Sequence, residues 1–194
     1  MKQWLFLMPL LIVVIFSGIA VVKLRQTAEN QELGLKEFGK SYLVGKKIPS
    51  FNLPLLGDEA MQLSDKTLEG ERSIISVFAS WCVSCQYEHP LLLRIAEIPS
   101  VNLYGINWHD KPQKAKDWLQ KHGNPYKMVG MDINGSTAIS FGITGAPETF
   151  IVDENGIVRF HVAGMLTPEI LSKDILPFLL ENKKPIFKNK NNGN

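Results

Sequence analysis

Ser73-Ile74-Ile75-Ser76-Val77-Phe78-Ala79-Ser80-Trp81-Cys82-Val83-Ser84-Cys85 joins an apolar run to the only two cysteines of a 194-residue chain. The run is rich in β-branched and aromatic residues and too short for a helix, which predicts a buried strand. From Val83 to Ile98 the spacing becomes helical. Leu91, Leu92, Ile95, Ala96 and Ile98 share one side, with Gln86, Glu88, Arg94 and Glu97 largely on the other. The two thiols therefore stand where a strand turns into a helix.

That position has chemical consequences. The unpaired N–H groups and the dipole of a helix N-terminus favour a thiolate at Cys82, the attacking species in disulfide exchange. Cys85 lies one turn on, within reach to resolve a mixed disulfide by closing onto Cys82. This makes Cys82 the nucleophile and Cys85 the resolver. The competing readings are a structural disulfide, half of a zinc site, or two inert thiols. Zinc needs about four ligands, and only His89 is near in sequence. Haem attachment needs a histidine directly after the second cysteine, where Gln86 stands. A peroxidase would carry a threonine at the position of Ala79.

Length, 45% hydrophobic content and the lack of repeats suit one globular domain with extensions. A net charge of +2 points to no nucleic-acid partner. Leu5 to Val22 is an uncharged apolar run, Pro9 included, flanked by Lys2 and by Lys23 and Arg25. At about 1.5 Å per residue it reaches roughly 27 Å, enough for a bilayer core and longer than a usual signal-peptide core. Gly18 and Ala20 leave cleavage open, but an uncleaved anchor fits the length better. Flanking basic residues do not set its orientation. A short stub translocates poorly and a redox-spaced cysteine pair suits an oxidising compartment, so the domain is placed outside the cytoplasm.

The expected organisation is an anchor over 1–25, a polar spacer over 26–47, a domain over 48–181, and an Asn/Lys-rich disordered tail over 182–194. Val44 to Pro54 and Met61 to Leu63 read as an edge hairpin around Gly57-Asp58, since proline confines strands to an edge. Val101 to Asn107 alternates as a strand. Asp110 is expected to cap a helix over Lys111 to His122. Met128 to Met131 reads as a short strand and Ser136 to Phe141 as a short helix. Glu148 to Asp153 and Ile157 to Val162 form a hairpin about Glu154-Asn155-Gly156, and a helix over Pro168 to Leu180 is capped by Thr167. Strand, cysteine-bearing helix, strand, helix, hairpin and final helix predict a thioredoxin-like α/β fold, a central mixed sheet flanked by helices.

A resemblance narrows this further. Trp81-Cys82-Val83-Ser84-Cys85-Gln86-Tyr87-Glu88-His89-Pro90, Tyr104-Gly105-Ile106-Asn107-Trp108-His109-Asp110 and Gly142-Ile143-Thr144-Gly145-Ala146-Pro147-Glu148-Thr149-Phe150-Ile151-Val152-Asp153 closely resemble the CcmG/DsbE family. Its members are membrane-anchored thioredoxin-like proteins of cytochrome c maturation. The resemblance implies a periplasmic reductase of apocytochrome c CxxCH disulfides. It also implies recharging by a membrane electron donor of the CcdA/DsbD type, contact with other cytochrome c maturation components, and no cofactor beyond the Cys82–Cys85 disulfide. Trp108-His109 stands where Tyr-Lys is more usual, a change expected at the rim of the substrate groove.

The same resemblance assigns a groove of Trp81, Ala146, Pro147, Glu148 and Thr149. Pro147 is expected to be cis and to lie against the cysteines, with the Ala146 backbone free to pair with an extended substrate. Glu88 is expected to tune the thiols or carry the resolving proton, its alternative being a solvated helix residue. Glu148 either shapes the groove and repels wrong partners or merely ends a strand. Trp81 is expected to shield the disulfide, its alternative being a plain core or rim residue. His89, His109, His122 and His161 show no ligand spacing. Two other functions remain open: a thiol oxidant or isomerase of TlpA/DsbA type, and an anchored binding module with a structural disulfide.

Overall fold

The computed structural model describes residues 17–23, 41–99 and 101–180. Residues 17–23 are helical and exposed, while the rest of the expected anchor and the whole tail lie outside the described residues. Among the described residues no helix is long and apolar enough to cross a membrane.

The domain is built on seven strands: β1 (Asn52–Leu55), β2 (Asp58–Ser64), β3 (Ser73–Phe78), β4 (Asn102–Trp108), β5 (Val129–Asp132), β6 (Glu148–Val152) and β7 (Val158–Ala163). They form one sheet in the order β2-β1-β5-β4-β3-β6-β7. The helix α1 (Val83–Ala96) links β3 to β4, α2 (Pro112–His122) links β4 to β5, and α3 (Ser136–Phe141) precedes β6. Strands β3, β4 and β5 are parallel, and β6 and β7 continue the sheet antiparallel. This is the mixed sheet that the order of elements predicts.

Every residue of β3 is buried because strands flank it on both edges and both its faces are covered. Such a strand has no solvated face, hence apolar residues on both faces, with only the small Ser73 and Ser76 among them. On one face Ile75, Val77, Tyr104, Ile106, Phe150 and Val152 pack with Phe141 of α3 and with Leu43, Ile48 and Phe51. On the other, Phe78 stacks with Tyr126 at 4.8 Å and meets Trp118 of α2 at 5.7 Å. Gly105 lies under this pair, where an added Cβ would stand 2.9 Å from the Phe78 ring and 3.1 Å from Tyr126.

Several details depart from the sequence reading. The packed domain begins before residue 48: Leu43 is in the core, and the Gly45 N–H donates to the Val158 carbonyl. The expected hairpin does form one edge of the sheet, but β2 is its outermost strand; β1, which holds Pro54, has β2 on one side and meets β5 at Leu55 on the other. Pro54 is tolerated because the register with β5 pairs Leu55 and not Pro54, so its missing N–H costs no bond to that strand. Asp110 does not cap α2, whose N-cap is Lys111 without a side-chain bond. The carboxylate of Asp110 accepts instead from the loop before the cysteines, and from the Lys111 N–H that follows it. The last helix is broken: α4 (Pro168–Ile170) passes through a π-helical turn (Leu171–Ile175) into α5 (Leu176–Leu180). Pro177 supplies no N–H to the preceding turn, and the wider turn falls just ahead of it.

Candidate active site

Cys82 is the N-cap of α1, in extended conformation at φ −87° and ψ 107°. Its Sγ accepts a hydrogen bond from the Cys85 N–H at 3.1 Å, so a free helix N–H is aimed at this sulfur. The two cysteines are joined in a disulfide across a 5.3 Å Cα separation. Both are buried, at 5% and 3% exposure. Once the bond is reduced, the N–H and the helix dipole stabilise negative charge on Cys82 rather than on Cys85, which lies further along the helix.

The segment leading into Cys82 is pinned from β4. Asp110 Oδ2 accepts from the Ser80 N–H at 2.6 Å and Oδ1 accepts from the Ser80 hydroxyl at 2.9 Å. Asn107 Nδ2 supports the same carboxylate at 3.3 Å. Trp81 follows directly, its indole Nε1–H donating to the His109 carbonyl at 3.0 Å. Its ring is 5.9 Å from that of Trp108. Trp81 is 53% exposed and so forms an open rim more than a lid on the disulfide. Trp108-His109 does stand at this rim, and His109 takes the left-handed φ of 46° that turns its carbonyl toward the indole.

Across the disulfide lies the loop before β6. The Ala146–Pro147 bond is cis, and the Ala146 carbonyl oxygen is 3.3 Å from Cys82 Sγ. Glu148, which is 2% exposed, ties this loop down. Its Oε1 accepts from the Thr144 N–H at 2.7 Å, the Thr144 hydroxyl at 3.0 Å and the Gly145 N–H at 3.1 Å. Its Oε2 accepts from His161 Nε2 on β7 at 2.7 Å. Burial opposes the charge, but the bonds from His161 and Thr144 outweigh it and hold this carboxyl below its ordinary range. Glu148 thus fixes this loop from within, and it is not presented to solvent. Thr149 is fully buried in β6 between Ser76 and Val162 and lines the core, not the groove.

Glu88 is not on a solvated face. It is 2% exposed, one turn past Cys85, and its Oε2 accepts from the Leu166 N–H at 2.6 Å. Burial raises its pKa to about 7, and the single bond from Leu166 only partly opposes this. The next residue, His89, is buried against Trp118 and bonded through Nε2 to the Gly123 carbonyl at 2.9 Å. Among the described residues no group of three or more His, Cys, Asp or Glu side chains is placed to hold a metal ion.

The sequence reading missed the parts played by Asp110 and His161. Asp110 looked like a helix cap because it precedes Lys111-Pro112. His161 carries one usable signal, since it stands at an inward position of a strand opposite Phe150.

The likenesses agree with this geometry. A family model, the AhpC/TSA family, matches residues 44–161. The thiol:disulfide interchange protein DsbE of Xylella fastidiosa strain Temecula1 is 42% identical over 142 residues, which cover 73% of this chain and 72% of that protein. DsbE of Escherichia coli strain K12 is 36% identical over 178 residues, covering 91% and 94%. A secreted Mycobacterium tuberculosis disulfide oxidoreductase, homologous to Escherichia coli DsbE, shares the fold. Its TM-score is 0.56 at 18% identity, over 63% of this chain and 91% of that one. Kinship at this level, on a site where a disulfide opens a helix and Cys82 Sγ meets the carbonyl of the residue before a cis-proline, places the chain in the DsbE family of thiol:disulfide interchange proteins, as a thiol:disulfide oxidoreductase.

Proposed function

We propose that the chain is a periplasmic reductase, held to the inner membrane by the apolar run Leu5 to Val22, that reduces the CxxCH disulfide of apocytochrome c before haem is attached. The observation that carries the reading is the contact of Cys82 with the Ala146 backbone, where an extended substrate can pair with the loop while its disulfide meets the nucleophile. Membership of the DsbE family and the motif resemblance support the choice of substrate.

The reaction begins from the dithiol. The Cys82 thiolate attacks one substrate sulfur, the substrate S–S bond breaks, and the other substrate sulfur leaves as a thiolate and takes a proton. Cys85 loses its proton and attacks Cys82 Sγ. The mixed disulfide breaks, the Cys82–Cys85 disulfide forms, and the second substrate thiol is released. Two electrons have passed from protein to substrate. Glu88, one turn from Cys85 and with its pKa raised to about 7, takes the Cys85 proton. The disulfide is reopened by two electrons from a membrane donor of the CcdA/DsbD type, with other maturation components as further partners.

The equilibrium potential of the Cys82/Cys85 couple tests this. No basic residue lies between the cysteines and a carboxyl stands one turn away, which disfavours a strongly acidic thiolate. A value below about −200 mV with rapid exchange is expected. One more positive than about −150 mV would mark an oxidant and overturn the proposal.

A further inference from the structure

The loop that bears Ala146 is held by a carboxylate whose own orientation depends on one imidazole. Three of the four donors to Glu148 come from the loop and reach Oε1, and the fourth, His161, reaches Oε2. A carboxylate oxygen only accepts, so His161 carries its proton on Nε2 toward Glu148. The imidazole is itself fixed, lying flat on Phe150 with ring centres 4.0 Å apart and planes 8° from parallel. Phe150 is its cross-strand partner and is fully buried. The path therefore runs from a rigid ring on β7 through Glu148 to Thr144 and Gly145, and the next residue places its carbonyl 3.3 Å from Cys82 Sγ.

We propose that His161 is a positioning residue that, through Glu148, sets the Thr144–Ala146 backbone against Cys82 and so determines how tightly an extended substrate is held beside the reacting sulfur. Without the imidazole proton, Oε2 is a buried acceptor with no partner. Such a group turns to find one, at the expense of the bonds its other oxygen makes. The loop amides then lose their common anchor, and the groove loses its fixed edge. The effect falls on substrates that use the backbone edge and spares those that touch only the sulfur. The inference rests on the groove reading of the preceding section.

Single-turnover oxidation of the reduced full-length protein separates the two. The probes are an extended peptide carrying an internal Cys-x-x-Cys-His disulfide and the small hydroxyethyl disulfide. His161→Phe keeps the ring and removes the donor. It is expected to raise the half-saturating peptide concentration more than about threefold, while the rate with hydroxyethyl disulfide stays within about threefold. His161→Gln, which returns an N–H donor, should restore peptide binding to within about threefold of wild type. A His161→Phe half-saturation inside that limit overturns the proposal, as does a loss that His161→Gln does not repair. If His161→Phe does not fold, His161→Asn, too short to reach Oε2, is judged by the same limits. A wild-type protein that shows no saturation with the peptide sinks the groove reading itself, and this inference with it.

Discussion

Replacing Glu88 by glutamine should make the oxidised protein more stable above neutral pH and change it little in mild acid. The carboxyl is 2% exposed, and its pKa stands near 7 where an exposed glutamate has 4.5. A folded pKa above the unfolded one means that the folded state holds the proton longer. Stability from this group is therefore complete below about pH 4.5 and is lost as pH rises through 7. At about 1.4 kcal/mol per pH unit, wild type should lose about 2.5 kcal/mol between pH 5 and pH 8. In a domain of this size that corresponds to roughly 5–10 °C in Tm.

Glutamine keeps an oxygen to accept from the Leu166 N–H and cannot ionise. The comparison also removes a confounding group. His89 is buried with its pKa lowered by desolvation, so its contribution falls as pH drops below about 6.5, in the opposite sense, and is common to both proteins. Urea unfolding of oxidised wild type and E88Q at pH 5, 6, 7 and 8 reads the difference directly. The gap should open by about 2–3 kcal/mol in favour of E88Q. If the two proteins instead track each other to within about 0.5 kcal/mol, the raised pKa assigned to this carboxyl is wrong.

The remaining predictions concern the sulfurs and the loop that presents them. Cys85→Ser should accumulate a mixed disulfide with a CxxCH peptide through Cys82, visible by non-reducing mass spectrometry, whereas Cys82→Ser should not; preferential iodoacetamide labelling of Cys85 in the reduced wild type would contradict the assignment. Asp110→Ala strips the acceptor from the Ser80 N–H, the Ser80 hydroxyl, Asn107 Nδ2 and the Lys111 N–H. A loss of about 2–4 kcal/mol in urea unfolding is expected, with a lower attack rate at Cys82 in the folded variant. A loss below about 1 kcal/mol would show that Asp110 does not hold this loop.

The fold was legible in the sequence wherever apolar period and punctuation agreed. The run Ser73 to Ala79 announced a central strand because β3 is covered on both faces, and Asn155-Gly156 marked the last hairpin. The cysteines were legible for a chemical reason, since a pair one turn apart at the start of a helical period suits thiol exchange. Polar residues whose partners are remote in sequence were not legible. Glu88 looks solvated on a helical wheel because the wheel does not contain Leu166, 78 residues away. Asp110 has the local look of a cap, while its partner Ser80 stands 30 residues earlier. Thr149 was assigned to the groove with the motif around it, yet strand alternation turns it to the face opposite Glu148, where its neighbour across β3 is Ser76.

Two buried carboxyls stand near the disulfide on opposite faces of the sheet, and the number of donors each receives separates their ionisation. Glu148 shares the face of Val77 and Phe150, whereas Glu88 belongs to the helix that covers the other face. Both are 2% exposed, so desolvation opposes ionisation in each. Glu148 offsets it with four hydrogen bonds, three from the loop and one from His161, and stays charged. Glu88 has the Leu166 N–H, and its pKa rises to about 7. A carboxylate that keeps its charge at every working pH cannot shuttle protons, but it can anchor amides, and Glu148 anchors those beside Ala146. A carboxyl poised near neutrality anchors weakly, but it can accept a proton from a buried thiol and return it. Deleting the His161 donor would therefore move Glu148 toward the protonated form, the direction in which desolvation has already carried Glu88.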